Sequence, residues 1–148
     1  MKIAIGCDHG GVELKDYVRE YMKGKGYEVV DFGTHTKDSC DYPEYGEKVA
    51  LSVKNKETDL GILICGTGLG MSYVANKVPG IRCAACSDTF SAEMARAHND
   101  ANVLAFGARV VGLGLAIKLV DAFLETKFEG GRHQRRVDLI SDVEKRNL

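Results

Sequence analysis

The sequence predicts an α/β fold, a five-stranded parallel sheet with helices on both faces. Three observations predict it. Five short apolar runs have strand length and little polar alternation, as strands covered on both faces do. Segments of helical period lie between them, and parallel neighbours need such crossovers. Polar and glycine-rich residues cluster where the runs end, which is where ligands gather in a parallel sheet.

The elements follow in order. Residues 3–7 form the first strand, and Leu14, Val18, Tyr21 and Met22 form a helical stripe after it. A second strand covers 28–32. Asp41-Tyr42-Pro43 reads as a helix start, leading into the stripe Tyr45, Val49, Ala50 and Val53. The third strand, 60–65, runs into a short helix over 69–78. The fourth, 81–86, precedes the stripe Phe90, Met94 and Ala97. The fifth, 103–106, precedes Leu113, Ile117, Val120 and Leu124, and a last helix spans 137 to about 145. With no repeat, linker or low-complexity tract, residues 1–148 make one domain, a Rossmann-like three-layer α/β/α sandwich.

Composition narrows the function. Twenty Lys and Arg against 21 Asp and Glu give a formal charge of -1, which excludes a protein-wide electrostatic grip on DNA, RNA or anionic lipid. Five scattered cysteines, no signal-peptide pattern and no apolar run of membrane length predict a reduced, cytoplasmic setting. Glycine stands out at 17 residues beside only 2 prolines, so these glycines are expected where the backbone turns sharply or approaches something closely.

Cys65-Gly66-Thr67-Gly68-Leu69-Gly70 joins the third strand to its helix. Glycines at alternate positions expose successive N–H groups, and with the positive helix end they form a nest for an anion or oxyanion. A thiol at the lip of such a nest ionises more readily. The same spacing also fits a tight turn around a small buried cysteine. A dinucleotide fingerprint would need its third glycine where Met71 stands. Cys83 and Cys86 lie three apart within a strand, on opposite faces, and read as packing residues. Gly130-Gly131-Arg132-His133-Gln134-Arg135-Arg136 puts arginines at i and i+4 on one helix face, suited to phosphate oxygens or to plain solvation. His98-Asn99 closes the fourth helix, where a histidine also serves as a dipole partner. His35 is a loop residue, and no His/Asp/Glu spacing marks a metal site.

These motifs together resemble the ribose-5-phosphate isomerase B family, which includes the galactose-6-phosphate isomerase subunits. The matching pieces are Gly6-Cys7-Asp8-His9-Gly10-Gly11, Asp41-Tyr42-Pro43, Ile64 to Ser72, Ala75-Asn76-Lys77, Gly80-Ile81-Arg82, His98-Asn99-Asp100, Asn102 to Gly107, Arg109 to Gly112 and Glu129 to Val137. They run from residue 3 to about 140. The resemblance implies an aldose–ketose isomerase that interconverts ribose 5-phosphate and ribulose 5-phosphate through an enediol, with no metal or cofactor. It makes Cys65 the base, Thr67 an aid to proton movement, and His98 the ring-opening group with Asp8 binding a sugar hydroxyl. Gly66, Gly68, Leu69 and Gly70 line the oxyanion site and Asn99 a hydroxyl site. His9, Arg109, Arg132 and Arg136 hold the phosphate, with Tyr42 and His133 as neighbours. It further implies a homodimer with shared active sites and dimer contacts from the last helix, and it leaves a dimer of dimers open. His98, Asn99 and Arg109 are then expected to face Cys65 of the partner chain. Some relatives carry a glutamate base a few residues on, but Tyr73-Val74-Ala75 offers no carboxylate here.

Three alternatives use the same residues. A hexose 6-phosphate isomerase, acting on allose or galactose 6-phosphate, runs the same chemistry on a longer sugar. A non-catalytic sugar-phosphate or nucleotide-binding module gives Cys65 no task. An RNA binder would rest on Arg132 to Arg136 alone, without interleaved aromatic residues, so nucleic acid is not the expected partner.

Overall fold

The computed structural model describes all 148 residues. Strands β1 (Lys2–Cys7), β2 (Glu28–Asp31), β3 (Leu60–Cys65), β4 (Cys83–Ala85) and β5 (Val103–Gly107) alternate with helices α1 (Val12–Gly24), α2 (Tyr42–Lys54), α3 (Leu69–Asn76), α4 (Thr89–Ala97) and α5 (Leu113–Glu125), and α6 (Arg132–Arg146) closes the chain. All strands are parallel, in the order β2-β1-β3-β5-β4. No helix is long and apolar enough to cross a membrane.

The pleat divides the core in two. Ile3, Ile5, Ile62, Ile64, Leu104 and Phe106 face α1, α4 and α5, while Ala4, Leu63, Cys65 and Ala105 face α2 and α3. Cys86 belongs to the first half and Cys83 packs on the second, so the pair does sit on opposite faces. β3 and β5 are buried throughout and β1 in all but its first residue, whereas edge strand β2 is mostly half-buried and β4 is only three residues long.

Several boundaries differ from the sequence reading. β4 is shorter because Ile81 is taken into a turn by its N–H bond to the Val78 carbonyl, and that same turn ends α3 at Asn76. α6 starts five residues earlier than its apolar pattern, because Gly130 and Gly131, both with positive φ, break the chain just before Arg132. Its first turns bury only His133 and Val137, too little to register as a stripe. The α4 stripe is also reassigned: Ala92, Ala95 and Ala97 are buried, and Phe90 is 71% exposed.

Strand direction and pairing together set where the functional residues lie. Cys65 and Gly107 pair at the carboxyl ends of β3 and β5, while Cys83 and Val103 pair at the amino ends of β4 and β5. α4 leaves the carboxyl edge after β4 and carries the chain back to the amino edge, where β5 begins. α6 also lies at that amino edge, its Glu144 carboxylate accepting the Gly80 N–H at 3.1 Å.

Candidate active site

At the carboxyl edge, β3 delivers Cys65 into the glycine turn. Cys65 is 5% exposed, and the Gly68 N–H donates to its Sγ at 3.1 Å. The turn can form only with glycine at its contacts. Gly68 has φ +83°, and a Cβ there would lie 2.8 Å from the Phe106 Cα. A Cβ at Gly107 would lie 2.5 Å from the Thr67 Cα, so turn and β5 pack backbone to backbone. Thr67 Oγ1 accepts the Leu69 N–H at 3.2 Å and braces the first turn of α3.

Neighbouring strands bring the rest of this group. The Asp8 N–H donates to the Ile64 carbonyl at 3.2 Å, holding the β1 exit against β3, and the Asp8 carboxylate accepts the Gly10 N–H at 3.0 Å. His9 Nδ1 accepts the Cys40 N–H at 3.3 Å, which leaves Nε2 for a ligand. The Tyr42 ring covers the start of α3, since a Cβ on Gly70 would come within 2.7 Å of it. Arg109 lies beside the turn, its N–H donating to the Gly66 carbonyl at 3.1 Å. The expectation that Arg109 faces Cys65 only from a partner chain is therefore corrected, because β3–β5 pairing puts it next to the Cys65 turn of its own chain.

A second group sits at the amino edge. His98 caps the carboxyl end of α4, and Arg82, one residue before β4, donates to the carbonyls of Asn99 and Asp100. α6 contributes Arg132, His133 and Arg136 in its first turns. The His98 and His133 rings stack with centroids 4.1 Å apart and planes 8° from parallel. Glu129 Oε1 stands 3.7 Å from His98 Nε2 and 3.6 Å from His133 Nε2. Burial, then the neighbouring His98, Arg132 and Arg136, hold His133 below the ordinary histidine range against the opposing pull of Glu129.

The structure thus gathers Asp8, His9, Tyr42, Cys65 to Gly70 and Arg109 at one edge, and His98, Asn99, Arg132, His133 and Arg136 at the other. About five residues of strand, roughly 16 Å, separate the edges. Within one chain the two groups do not meet. Sequence reasoning missed Glu129, which lies before the Gly130-Gly131 break and reaches His133 around it, so no helical spacing marks the pair. It also missed Cys40, whose N–H orients His9 through a contact 31 residues distant in sequence. Glu129, His98 and His133 place potential ligand atoms within 4.8 Å of one another. The parallel rings nevertheless aim their in-plane lone pairs side by side, and a metal ion needs them to converge.

A sequence profile of the family described as Ribose/Galactose Isomerase matches residues 3–140. The chain is 54% identical over 145 residues to ribose-5-phosphate isomerase B of Escherichia coli (strain K12), covering 98% of this chain and 97% of that one. It superimposes on the ribose-5-phosphate isomerase B of Clostridium thermocellum with a TM-score of 0.98, at 57% identity and full coverage of both chains. The enzyme of the same name from Mycoplasma genitalium, solved with bound ribulose-5-phosphate, matches with a TM-score of 0.93 at 46% identity, covering 97% of this chain and 96% of that one.

Proposed function

The chain belongs to the ribose/galactose isomerase family, and on that premise we propose that it interconverts ribose 5-phosphate and ribulose 5-phosphate at sites completed by two copies of the chain. His98 of one copy opens the furanose ring. Cys65 of the other, as thiolate, takes the proton from the carbon beside the carbonyl and returns it to the neighbouring carbon. The negative charge that develops on the enediolate oxygen meets the N–H groups of the Gly66 to Gly70 turn, whose positions need no rearrangement during the reaction. His9 and Arg109 at one edge, and Arg132 and Arg136 at the other, suit the 5-phosphate. Asp8 and Asn99 suit sugar hydroxyls, Thr67 suits proton movement, and Tyr42 closes one side.

The observation that carries this reading is the split itself. A base in an oxyanion nest at one edge, and a histidine with arginines at the other, form one site only when the amino edge of a second copy meets the carboxyl edge of the first. The exposed apolar residues support such an assembly. Leu69, Tyr73 and Phe90 stand open, and a groove of about 740 Å3 runs between α6 and the β4 edge, lined by Ile81, Ala84, Ile140, Val143 and Leu148. A two-fold dimer joins unlike edges twice and gives two equal sites.

Turnover of ribose 5-phosphate by wild type and Cys65→Ala tests the base. The substitution should lower kcat by about a thousandfold and leave the far-ultraviolet spectrum unchanged, and undiminished turnover would remove Cys65 from the mechanism. Chelators should leave the wild-type rate as it is. On a panel of ribose, allose and galactose phosphates, kcat/KM should be highest on ribose 5-phosphate.

A further inference from the structure

We infer that Glu129 is a positioning residue that keeps the ring-opening proton on His98, with His133 as its neutral stacking partner. The inference rests on the preceding reading of His98 and adds two residues to it. Two imidazolium rings stacked at 4.1 Å repel each other, so a proton on one ring disfavours a second proton on the other. Exposure decides which ring holds it. The His133 side chain is 10% exposed and the His98 side chain 38%, and burial disfavours the charged form. The depressed proton affinity of His133 agrees with this assignment.

Glu129 is placed to favour that charge. Its N–H donates to the Ala97 carbonyl at 3.0 Å, fixing it one residue from His98 in space, and one carboxylate oxygen stands near both Nε2 atoms. The other charges facing the pair are Arg132 and Arg136 from α6, which oppose a proton on the buried ring. Arg96 and Asp100, on the α4 side, are engaged with each other, and Asp100 also with Arg82. Glu129 is therefore the one anion set against the two rings. In ring opening, a proton passes from the His98 ring to the ring oxygen O4 as the C1–O4 bond breaks, and the C1 hydroxyl gives its proton to water as the aldehyde forms. The stacked His133 ring holds the His98 plane in place while Glu129 stabilises the charged state before transfer.

Two readouts on Glu129→Gln and Glu129→Asp separate positioning from fold. The first is conversion of ribose 5-phosphate against pH. The second is solvent-deuterium exchange at C1 of ribulose 5-phosphate, an open-chain ketose whose phosphorylated O5 cannot close a ring, so that exchange needs Cys65 and no ring opening. For Glu129→Gln, conversion should fall by about tenfold or more, with the alkaline limb of its pH profile moved to lower pH, while exchange changes by less than about threefold. Glu129→Asp should restore part of the conversion. Equal loss of both readouts would overturn the proposal in favour of a structural role, and so would a Glu129→Gln profile identical to wild type. Wild-type protein that neither converts nor exchanges would overturn the parent reading instead, and this inference with it.

Discussion

Burial sorts the cysteines by chemistry. It pushes Cys7 up to about 12 and Cys86 up to about 11, and it moves Cys83 further still, so none of these is a base at neutral pH. Cys65 is also buried but receives the Gly68 N–H on its sulfur, a contact set by the glycine turn that follows β3. Alkylation that tracks loss of activity should therefore map by mass spectrometry to Cys65, and substrate should slow it. Lys15 shows what residue type conceals. It stands in the buried stripe of α1 with Val12, Val18 and Met22, fully inside, where the apolar period had drawn Leu14 and Tyr21. Its ammonium donates to Asp31 at 3.0 Å and to the Thr34 carbonyl at 2.8 Å, fastening the segment after β2 beside the β1 exit. Burial raises the Asp31 carboxyl, but Lys15, the Gly33 N–H and Arg19 together outweigh it and hold Asp31 below its usual value. This stability is present above the ordinary carboxylate range and is lost as pH falls through it to the depressed folded value. Lys15→Met should cost about 3 kcal/mol by urea unfolding, since it strands a mostly buried carboxylate that keeps Arg19 as partner. It should also reduce the acid-limb loss that wild type shows.

Among the elements, the β3–turn–α3 unit was the most legible, because a strand, three alternate glycines and a short helix leave few other ways to fold. Gly68→Ala tests that unit. It meets both a left-handed backbone and the Phe106 backbone, so it should destabilise the fold by about 2 kcal/mol and lower kcat more than it raises KM, by moving the N–H that faces Cys65. The elements read less well are those whose apolar signal is thin. α6 opens with polar residues and was placed late, and β4, an edge strand with one partner, was placed too long. Phe90 misled for the opposite reason. It is a large apolar residue at helical spacing, yet it faces outward, while the small residues Ala92, Ala95 and Ala97 face the core.

At the scale of the molecule, periodicity carried the fold class but could not carry the strand order. Because each crossover helix of a parallel sheet starts at the carboxyl edge and ends at the amino edge, residues that read as one site along the chain separate to two edges, and the resemblance alone implies that two copies share them. The protein should therefore migrate in solution at no less than about twice its 16.1 kDa chain mass. The most direct test of the shared site is complementation between Cys65→Ala and His98→Asn. Each variant alone has no intact site. In an equal mixture unfolded and refolded together, half of the dimers are mixed and one of their two sites is wild type, so activity should return to about a quarter of the wild-type value. Refolded mixtures that form mixed dimers yet stay as inactive as either variant alone would contradict the account, because Cys65 and His98 would then have to act within a single chain.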